Sequence, residues 1–311
     1  TVPQTMLLEW IGEVQMLEQQ NKEMNLFIAE LVKKMRTADI YTLLVKGQGV
    51  AQCYERPLWR SCGDVDLLLS ADNYERAKTF LTPLAEHVDT EDTKKKHLGM
   101  TIDQWTVELH GTMHTGISRR LNKGIDEVQY DCFYRGNVRS WDMNGTVIFL
   151  PSPDNDVILV FTHFLHHFFI EGVGLRQVCD WCRLLWTYKD SLNDGLLESR
   201  IKRMGLMSEW KAFASLAVEV LGMPEEAMPL YDVKGKKDDV RWRKKGERVL
   251  ERILKSGNMG HNNDLSYRTK YSGFKYKVVA FWRRFVDFMS LVPIFTMDAP
   301  RFFVYYVMRK V

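Results

Sequence analysis

No stretch of the sequence keeps about 18 apolar residues together, which is the length that a helix needs to cross a bilayer. Two candidates fall short: residues 157–170 carry three histidines, and residues 291–307 contain two prolines and an aspartate. A membrane-spanning helix is therefore not predicted. Residues 5–36 mix polar and apolar positions, which predicts one or two amphipathic helices and no secretory leader.

Cysteine is scarce and its count is odd, with five residues in 311. A small secreted protein held together by disulfides would carry an even set. Cys179 and Cys182 have the spacing of a redox or zinc site, but a second such pair is missing, so core thiols are the better interpretation. A reducing cytoplasm is therefore the expected location.

The net charge is only +3, but it is unevenly distributed. Residues 232–284 hold 16 Lys/Arg and 6 Asp/Glu, a local charge of +10, so the rest of the chain carries −7. Such a stretch can attract phosphates, nucleic acid or an anionic lipid surface. Its aromatic residues form no recognisable nucleic-acid-binding module. We expect the basic side chains to form a solvated helical face, and the later aromatic residues to pack on the helical domain in preference to a membrane interface.

Two carboxylates open a strand-like apolar run in residues 60–69 (RSCGDVDLLL). Asp64 and Asp66 stand at alternate positions, and alternate residues of a strand point to the same face. Gly63 permits a tight turn into that strand. Paired carboxylates are costly to bury without a counter-charge, and a hard cation such as Mg²⁺ supplies one. The pair is thus a candidate metal site, although Gly-Asp before a strand is also ordinary turn chemistry.

Neighbouring segments predict two further strands beside this one. Residues 42–47 (TLLVKG) form a short β-type run that ends in Lys46, and residues 104–110 (QWTVELH) alternate in strand fashion. The alternation places Glu108 and His110 on the same face of the later strand. The sequence therefore predicts a small unit of strands and helices with a third carboxylate available.

The ordered set resembles the minimal nucleotidyltransferase core of the DNA polymerase β superfamily. More narrowly, it resembles a bacterial family of uncharacterised nucleotidyltransferases that carries Lys-Gly in place of the usual Gly-Ser. The likeness rests on the Lys-Gly of residues 46–47, the Gly-Asp-Val-Asp of residues 63–66 and the Glu-Leu-His of residues 108–110. It continues through residues 163–168 and 174–181, so that it covers about residues 40–190.

The resemblance implies that Asp64, Asp66 and Glu108 are catalytic ligands of Mg²⁺ or Mn²⁺, with Glu108 helping to deprotonate the attacking hydroxyl. Two ions would clamp the attacking and leaving oxygens, and a nucleoside triphosphate would lose pyrophosphate as its α-phosphate passes to an acceptor. The residues that the resemblance places near the nucleotide are Lys46, Gly47, Gln48, Arg60, Gly63, His110 and Arg176. Arg60 could contact a phosphate or pair with one of the two aspartates.

Two other functions remain open at this point. Because Lys46-Gly47-Gln48 replaces the usual Gly-Ser turn, the chain could be a nucleotidyltransferase-fold protein that has lost turnover and serves as a nucleotide-binding or scaffold module. Many glycosyltransferases also use an Asp-x-Asp pair with Mn²⁺, but there the pair follows a strand, whereas here it opens one. The acceptor and the base preference are not encoded in any recognisable motif.

Length and composition predict an α+β protein of more than one part. The chain has 311 residues with 45% apolar and 12% aromatic content, which is typical of a folded globular protein. Pro151-Ser-Pro153 is the clearest boundary, and mostly helical patterns follow it. We expect an N-terminal helical segment (1–40), a nucleotidyltransferase-like core with a small mixed sheet and flanking helices (41–150), and a mostly α-helical domain with a basic, aromatic C-terminal part (151–311).

Overall fold

The computed structural model describes residues 3–231 and 236–310, so the start of the basic stretch, residues 232–235, lies outside the described residues. A mixed five-stranded sheet with flanking helices and a helical C-terminal region confirm the predicted α+β class. The chain divides into two compact units. One contains the residues up to Met113 together with Val128–Asp156, and the other contains His114–Glu127 and the residues from Val157 onward. The three segments expected from the sequence (1–40, 41–150 and 151–311) divide the chain differently from these two units, and they stay a prediction.

The strands lie in the first unit and form two sheets. They are β1 (Thr42–Val45), β2 (Asp64–Leu69), β3 (His87–Val88), β4 (His97–Ile102), β5 (Trp105–His110), β6 (Val138–Met143) and β7 (Thr146–Pro151). The large sheet has the order β1-β2-β5-β4-β3, in which β2 and β5 are parallel and the other neighbours are antiparallel. Strand β2 lies between two neighbours and is buried from its second residue onward, which explains its continuous apolar run.

Twelve α-helices are present among the described residues. They are α1 (Gln4–Thr37), α2 (Gly47–Ala51), α3 (Ala71–Leu81), α4 (Arg119–Tyr134), α5 (Pro153–Ile170), α6 (Leu175–Tyr188), α7 (Asp194–Met204), α8 (Met207–Glu219), α9 (Lys236–Ser256), α10 (Tyr267–Lys270), α11 (Gly273–Met289) and α12 (Asp298–Lys310). None of those helices is both long enough and apolar enough to cross a bilayer.

Helix α1 closes one face of the large sheet with its second half. Its buried apolar residues recur at helical spacing, which gives one apolar face, and they join the core formed by β2, β4 and β5. These helix residues are Met24, Ile28, Leu31, Val32 and Met35.

The hairpin of β6 and β7 turns at Asn144-Gly145, where both residues have positive φ as a two-residue hairpin requires.

The second unit is helical and has an aromatic core. Phe161 of α5 contacts Trp181 of α6 and Trp210 of α8, with ring centroids 5.3 and 4.9 Å apart. All three side chains are fully buried. Large rings in edge-to-face and tilted contacts stabilise a core beyond their area alone. This packing supports the helical patterns predicted after residue 151.

Candidate functional site

Strand register brings the three predicted carboxylates together. Asp66 of β2 lies directly opposite Glu108 of the parallel strand β5, and Asp64 is two residues before Asp66 on the same strand face. One ligand oxygen from each of these three side chains lies within 4.8 Å of the others. The convergence of the three acids is confirmed by this geometry, whereas their catalytic roles stay a prediction.

Lys46 enters the same cluster from the end of β1. Val45 pairs with Asp66, and Lys46 follows with φ 56° and ψ −146°, a left-handed conformation that glycine adopts more readily. Its Nζ lies 2.5 Å from Oδ1 of Asp66, and its side chain is only 14% exposed. Burial acts to lower the pKa of Lys46, but attraction by Asp66, Glu108 and Asp64 outweighs burial, and the pKa is raised. The ammonium is therefore a fixed positive charge inside the site, not a solvent-exposed strand end.

Two histidines, His97 and His110, bond to the carboxylates of Asp66 and Glu108. His110 Nε2 lies 2.8 Å from Asp66 Oδ1 and 3.4 Å from Glu108 Oε2, while His97 Nε2 lies 3.2 Å from the same Oε2. Bonds from His110 and then His97 outweigh burial and lower the pKa of Glu108 far below its usual value. Burial acts to lower the pKa of His110, but its bonds to Asp66 and Glu108 raise it overall. His110, placed near the nucleotide by the family resemblance, thus contacts the carboxylates directly.

Asp64 is the least compensated of the acids. Repulsion by Asp66 is the largest cause that raises the pKa of Asp64, followed by burial, and both outweigh the attraction of Lys46. A carboxylate whose charge is unfavourable in the folded protein favours a proton or a cation beside it. Three carboxylates with a hard-oxygen donor set fit Mg²⁺ or Mn²⁺. His97, Glu108 and His110 form a second group with ligand spacing that shares Glu108 with the first.

The turn that leaves β1 closely approaches the start of β2. Gly47 has φ +35°, and a Cβ added there would lie 3.3 Å from the backbone oxygen of Asp64, so a side chain at this position is disfavoured twice. Gly63 is exposed and has open space around its Cα. Arg60 donates from Nη1 to the sulfur of Cys62 at 2.8 Å. Its charge acts against the rise in the pKa of Asp64, which repulsion by Asp66 and burial cause. These residues therefore surround the start of β2, where the carboxylates lie.

Asn21 of α1 bonds to the loop that precedes β2 and so connects this loop to the helix that covers the sheet. Its Nδ2 donates to the backbone oxygens of Leu58 and Arg60 at 2.7 and 3.0 Å, and its Oδ1 accepts from Gln48 Nε2 at 2.7 Å. Both Asn21 and Gln48 are buried. The amide of Gln48, expected near the nucleotide, thus bonds to α1, and its contact with nucleotide stays a prediction.

Replacing Asn21 with leucine tests how far this network holds the loop. The Asn21→Leu variant loses three hydrogen bonds and leaves buried polar partners unsatisfied, so we expect the free energy of unfolding to fall by about 3 kcal/mol. Gln19→Leu on the same helix is a matched control, because Gln19 is exposed and bonds only to Glu23 among the recorded contacts. Urea denaturation of both variants measures the difference. Equal midpoints would contradict a role for Asn21 in anchoring the loop.

Other predicted residues lie in the second unit. Arg176 is exposed on α6, and its contact with a triphosphate stays a prediction. His163 and His167 of α5 lie with their Nε2 atoms 3.2 Å apart, and His167 Nδ1 lies 2.9 Å from Glu171 Oε2. These histidines thus interact with each other and with Glu171 along their own helix.

His97 and Asn21 are functional-site residues that the sequence reasoning did not identify. His97 has a signal that could have found it: β4 ends at Ile102 and β5 begins at Trp105, so a two-residue turn fixes the register and places His97 opposite His110. Recognising that turn would have added a histidine to the site. Asn21 has no such signal, because its bonds connect residues 27 to 39 positions apart in sequence.

Comparison with known proteins gives a family for the chain. Residues 1–222 match the family described as "Uncharacterised nucleotidyltransferase". A solved structure, an antigenic nucleotidyltransferase-like protein from Paracoccidioides brasiliensis, is similar over 59% of this chain and 90% of that chain, with 14% identity and a TM-score of 0.36. None of the curated proteins compared with the chain matches it. Because the family match spans more than two thirds of the sequence and includes all three carboxylates, the chain belongs to the family of uncharacterised nucleotidyltransferases.

Proposed function

We propose that the protein is a divalent-metal-dependent nucleotidyltransferase that moves a nucleoside monophosphate from a nucleoside triphosphate to an acceptor hydroxyl. The hydroxyl oxygen forms a bond to the α-phosphorus as it loses its proton, the bond from the α-phosphorus to the bridging oxygen breaks, and pyrophosphate leaves. The observation that carries this proposal is the convergence of Asp64, Asp66 and Glu108 within 4.8 Å on paired strands. Family membership supports the same class of reaction.

The three carboxylates would hold Mg²⁺ or Mn²⁺. A divalent ion bound there would neutralise phosphate charge and orient the phosphate groups, which is most of what phosphoryl transfer asks of a protein. The lowered pKa of Glu108 keeps that side chain ionised and makes it a weak base, because basicity falls with pKa. We therefore assign Glu108 the role of ligand, with His97 and His110 orienting its carboxylate.

Lys46 would act as a fixed charge that positions Asp66. Its ammonium binds Oδ1 of Asp66, the atom that also receives His110, so two donors from β1 and β5 hold this carboxylate. Lys46 can also attract a phosphate as a point charge. Nucleotidyltransferases of the superfamily that the chain resembles usually have a Gly-Ser turn at this position. In this assignment the charge of Lys46 replaces the contribution of that turn to phosphate binding.

Pyrophosphate release tests the proposed reaction. Purified protein is incubated with each of the four nucleoside triphosphates, with Mg²⁺ or Mn²⁺, and with panels of hydroxyl acceptors: proteins, sugars, aminoglycosides and nucleic-acid ends. We expect release to require the metal and at least one acceptor class, with the nucleotide label appearing on that acceptor.

The competing function is nucleotide binding without turnover. The observation that favours it is the same Lys46–Asp66 ion pair, because a lysine bound to a metal-ligand oxygen competes with the metal. Calorimetric titration with a triphosphate and Mn²⁺ separates the two functions. Tight binding combined with no pyrophosphate release across all acceptor panels would replace catalysis with a binding or scaffold role.

A further inference from the structure

Helix α11 presents an apolar stripe to solvent. Phe274 is 83% exposed and Trp282 is 61% exposed, and Val278, Phe281 and Val286 are each about half exposed. These five residues follow one another at steps of four, three, one and four, which places them along one side of a helix. Single exposed apolar residues are common, whereas a continuous stripe with two large aromatic rings marks an interaction surface.

The rest of α11 is already packed against its own unit. Phe288 is fully buried, and the ring of Phe285 lies 5.3 Å from Phe303 of α12. Phe281 of the stripe also contacts Phe303, with ring centroids 5.6 Å apart, and keeps about half of its surface exposed. The expectation that the C-terminal aromatic residues pack on the helical domain thus holds for Phe288 and Phe302. It does not account for Phe274 and Trp282, which are mostly exposed although the helix is anchored by its other residues.

The charges around the stripe have one sign. At about 100° of rotation per residue, Lys277 falls beside Phe281 at one border of the stripe, and Lys275 falls between Trp282 and Val286 near the other border; both lysines are exposed. The one carboxylate in α11, Asp287, falls on the other side of the helix, where it lies 3.8 Å from Arg252. Arg283 is also turned away from the stripe and binds Asp264 at 2.9 Å. The apolar surface is therefore bordered by lysines and not by acids.

We propose that this stripe of α11 is a peripheral binding surface for an anionic lipid bilayer, with the helix lying in the plane of the interface. An apolar face with aromatic residues, bordered by lysines whose long side chains can reach the headgroups, is the pattern of an interfacial helix. Charge complementarity selects lipids with net negative headgroups. The helix has 17 residues and lies across the interface without spanning the membrane. This inference does not depend on the proposed nucleotidyl transfer.

Co-sedimentation with vesicles tests the surface in the full chain. One vesicle preparation contains phosphatidylcholine alone, and the other contains phosphatidylcholine with about 30% phosphatidylserine, a composition that gives the negative surface potential in question. We expect binding to the anionic vesicles that weakens with added salt, since lysine–headgroup attraction is screened. The double variant Phe274→Ser/Trp282→Ser should bind roughly tenfold more weakly or worse, because two side chains lose their apolar burial. Lys275→Glu/Lys277→Glu should reduce binding by about thirtyfold or more.

A control variant comes from an exposed apolar residue of another helix. Leu8 of α1 is 60% exposed but is followed by Glu9 and Glu13, so Leu8→Ser should leave vesicle binding unchanged. Thermal melts verify that each variant folds, which is expected because every changed side chain is exposed.

Several results would overturn the lipid proposal. One is no binding to anionic vesicles, and another is binding that Phe274→Ser/Trp282→Ser retains in full, which would indicate adsorption by charge alone. A third is a concentration-dependent dimer that disappears in the same variant without vesicle binding, since the stripe would then join two copies of the chain. Tighter binding of a single-stranded polynucleotide than of anionic vesicles, lost in both double variants, would assign the surface to nucleic acid instead.

Discussion

Asp64→Asn is expected to abolish pyrophosphate release and, at the same time, to stabilise the metal-free protein. Repulsion by Asp66, followed by burial, raises the pKa of Asp64, so the ionised side chain destabilises the fold at neutral pH. Each unit of raised pKa corresponds to about 1.4 kcal/mol. The amide keeps the shape of the side chain and removes this charge, while it also removes a metal ligand. Loss of activity with a gain in stability is typical of a residue kept for function.

The sign of the pH dependence provides a further check on this variant. A raised pKa means that the folded state binds the proton more readily than the unfolded chain, whose carboxyl titrates near the usual value of 3.8. The cost of ionised Asp64 therefore grows as the pH rises from 3.8 through the raised pKa and is absent below 3.8. The advantage of Asp64→Asn should be largest near about pH 7 and should vanish in acid. Urea midpoints across this pH range, measured with chelator present, give the comparison.

Asp66→Asn is the matched variant with the opposite effect on stability. Asp66 is 2% exposed and accepts from both Lys46 and His110, so replacing it leaves the buried Lys46 ammonium and the His110 ring without their carboxylate. Breaking a buried ion pair on one side costs about 3–5 kcal/mol. We expect both variants to lose activity by about a thousandfold or more, as removal of a major electrostatic contribution does, while their stabilities move apart. If Asp64→Asn and Asp66→Asn change the free energy of unfolding in the same direction, the different electrostatic environments assigned to Asp64 and Asp66 are wrong.

Lys46→Met is expected to destabilise the metal-free protein strongly and to make its stability depend on metal. The ammonium of Lys46 lies 2.5 Å from a buried carboxylate oxygen of Asp66, and its removal takes away one of the two donors to that oxygen and leaves His110 as the other. A loss of about 3–5 kcal/mol follows from the cost of breaking such pairs. Because Lys46 then no longer competes for Asp66, added Mn²⁺ should raise the melting temperature of Lys46→Met by more than that of the wild type.

Lys46→Gly separates the charge of this residue from its backbone conformation. Lys46 has φ 56° and ψ −146°, which costs a residue with a side chain about 1–3 kcal/mol and costs glycine little. Lys46→Gly should therefore lose the same ion pair but be less destabilised than Lys46→Met. Differential scanning fluorimetry with and without Mn²⁺ measures both effects. The proposed role of Lys46 is wrong if Lys46→Met has the melting temperature of the wild type. It is also wrong if Mn²⁺ raises the melting temperatures of Lys46→Met and the wild type equally.

The carboxylate cluster could be predicted only in part from local patterns, because strand alternation groups Asp64 with Asp66, whereas the approach of Glu108 to them was implied by the family resemblance. Alternation along β2 and β5 decides which side chains share a face, and a parallel pair places Asp66 beside Glu108 once the strands are adjacent. The β6–β7 hairpin was equally accessible through its Asn-Gly turn. These elements depend on contacts between near neighbours or on the two-residue period of a strand.

The electrostatic setting of the cluster could not be predicted in the same way. The direction of the Lys46 side chain depends on a left-handed backbone conformation that a lysine seldom adopts, so its ion pair with Asp66 was not predicted from sequence. The bond between Gln48 and Asn21 joins α2 to α1 through the folded core. Long-range contacts of this kind follow from tertiary packing, which no local pattern records.

Binding of Mn²⁺ is the most direct test of the central claim that three acids form a metal site for a nucleoside triphosphate. Mn²⁺ is titrated calorimetrically into the wild type and into Glu108→Gln, with and without a non-hydrolysable triphosphate. We expect saturable binding in the wild type that the triphosphate tightens, and loss of this binding in Glu108→Gln, with thermal melts showing that the variant is folded. Wild-type affinity in Glu108→Gln, or no Mn²⁺ binding to the wild type in the presence of the triphosphate, would contradict it.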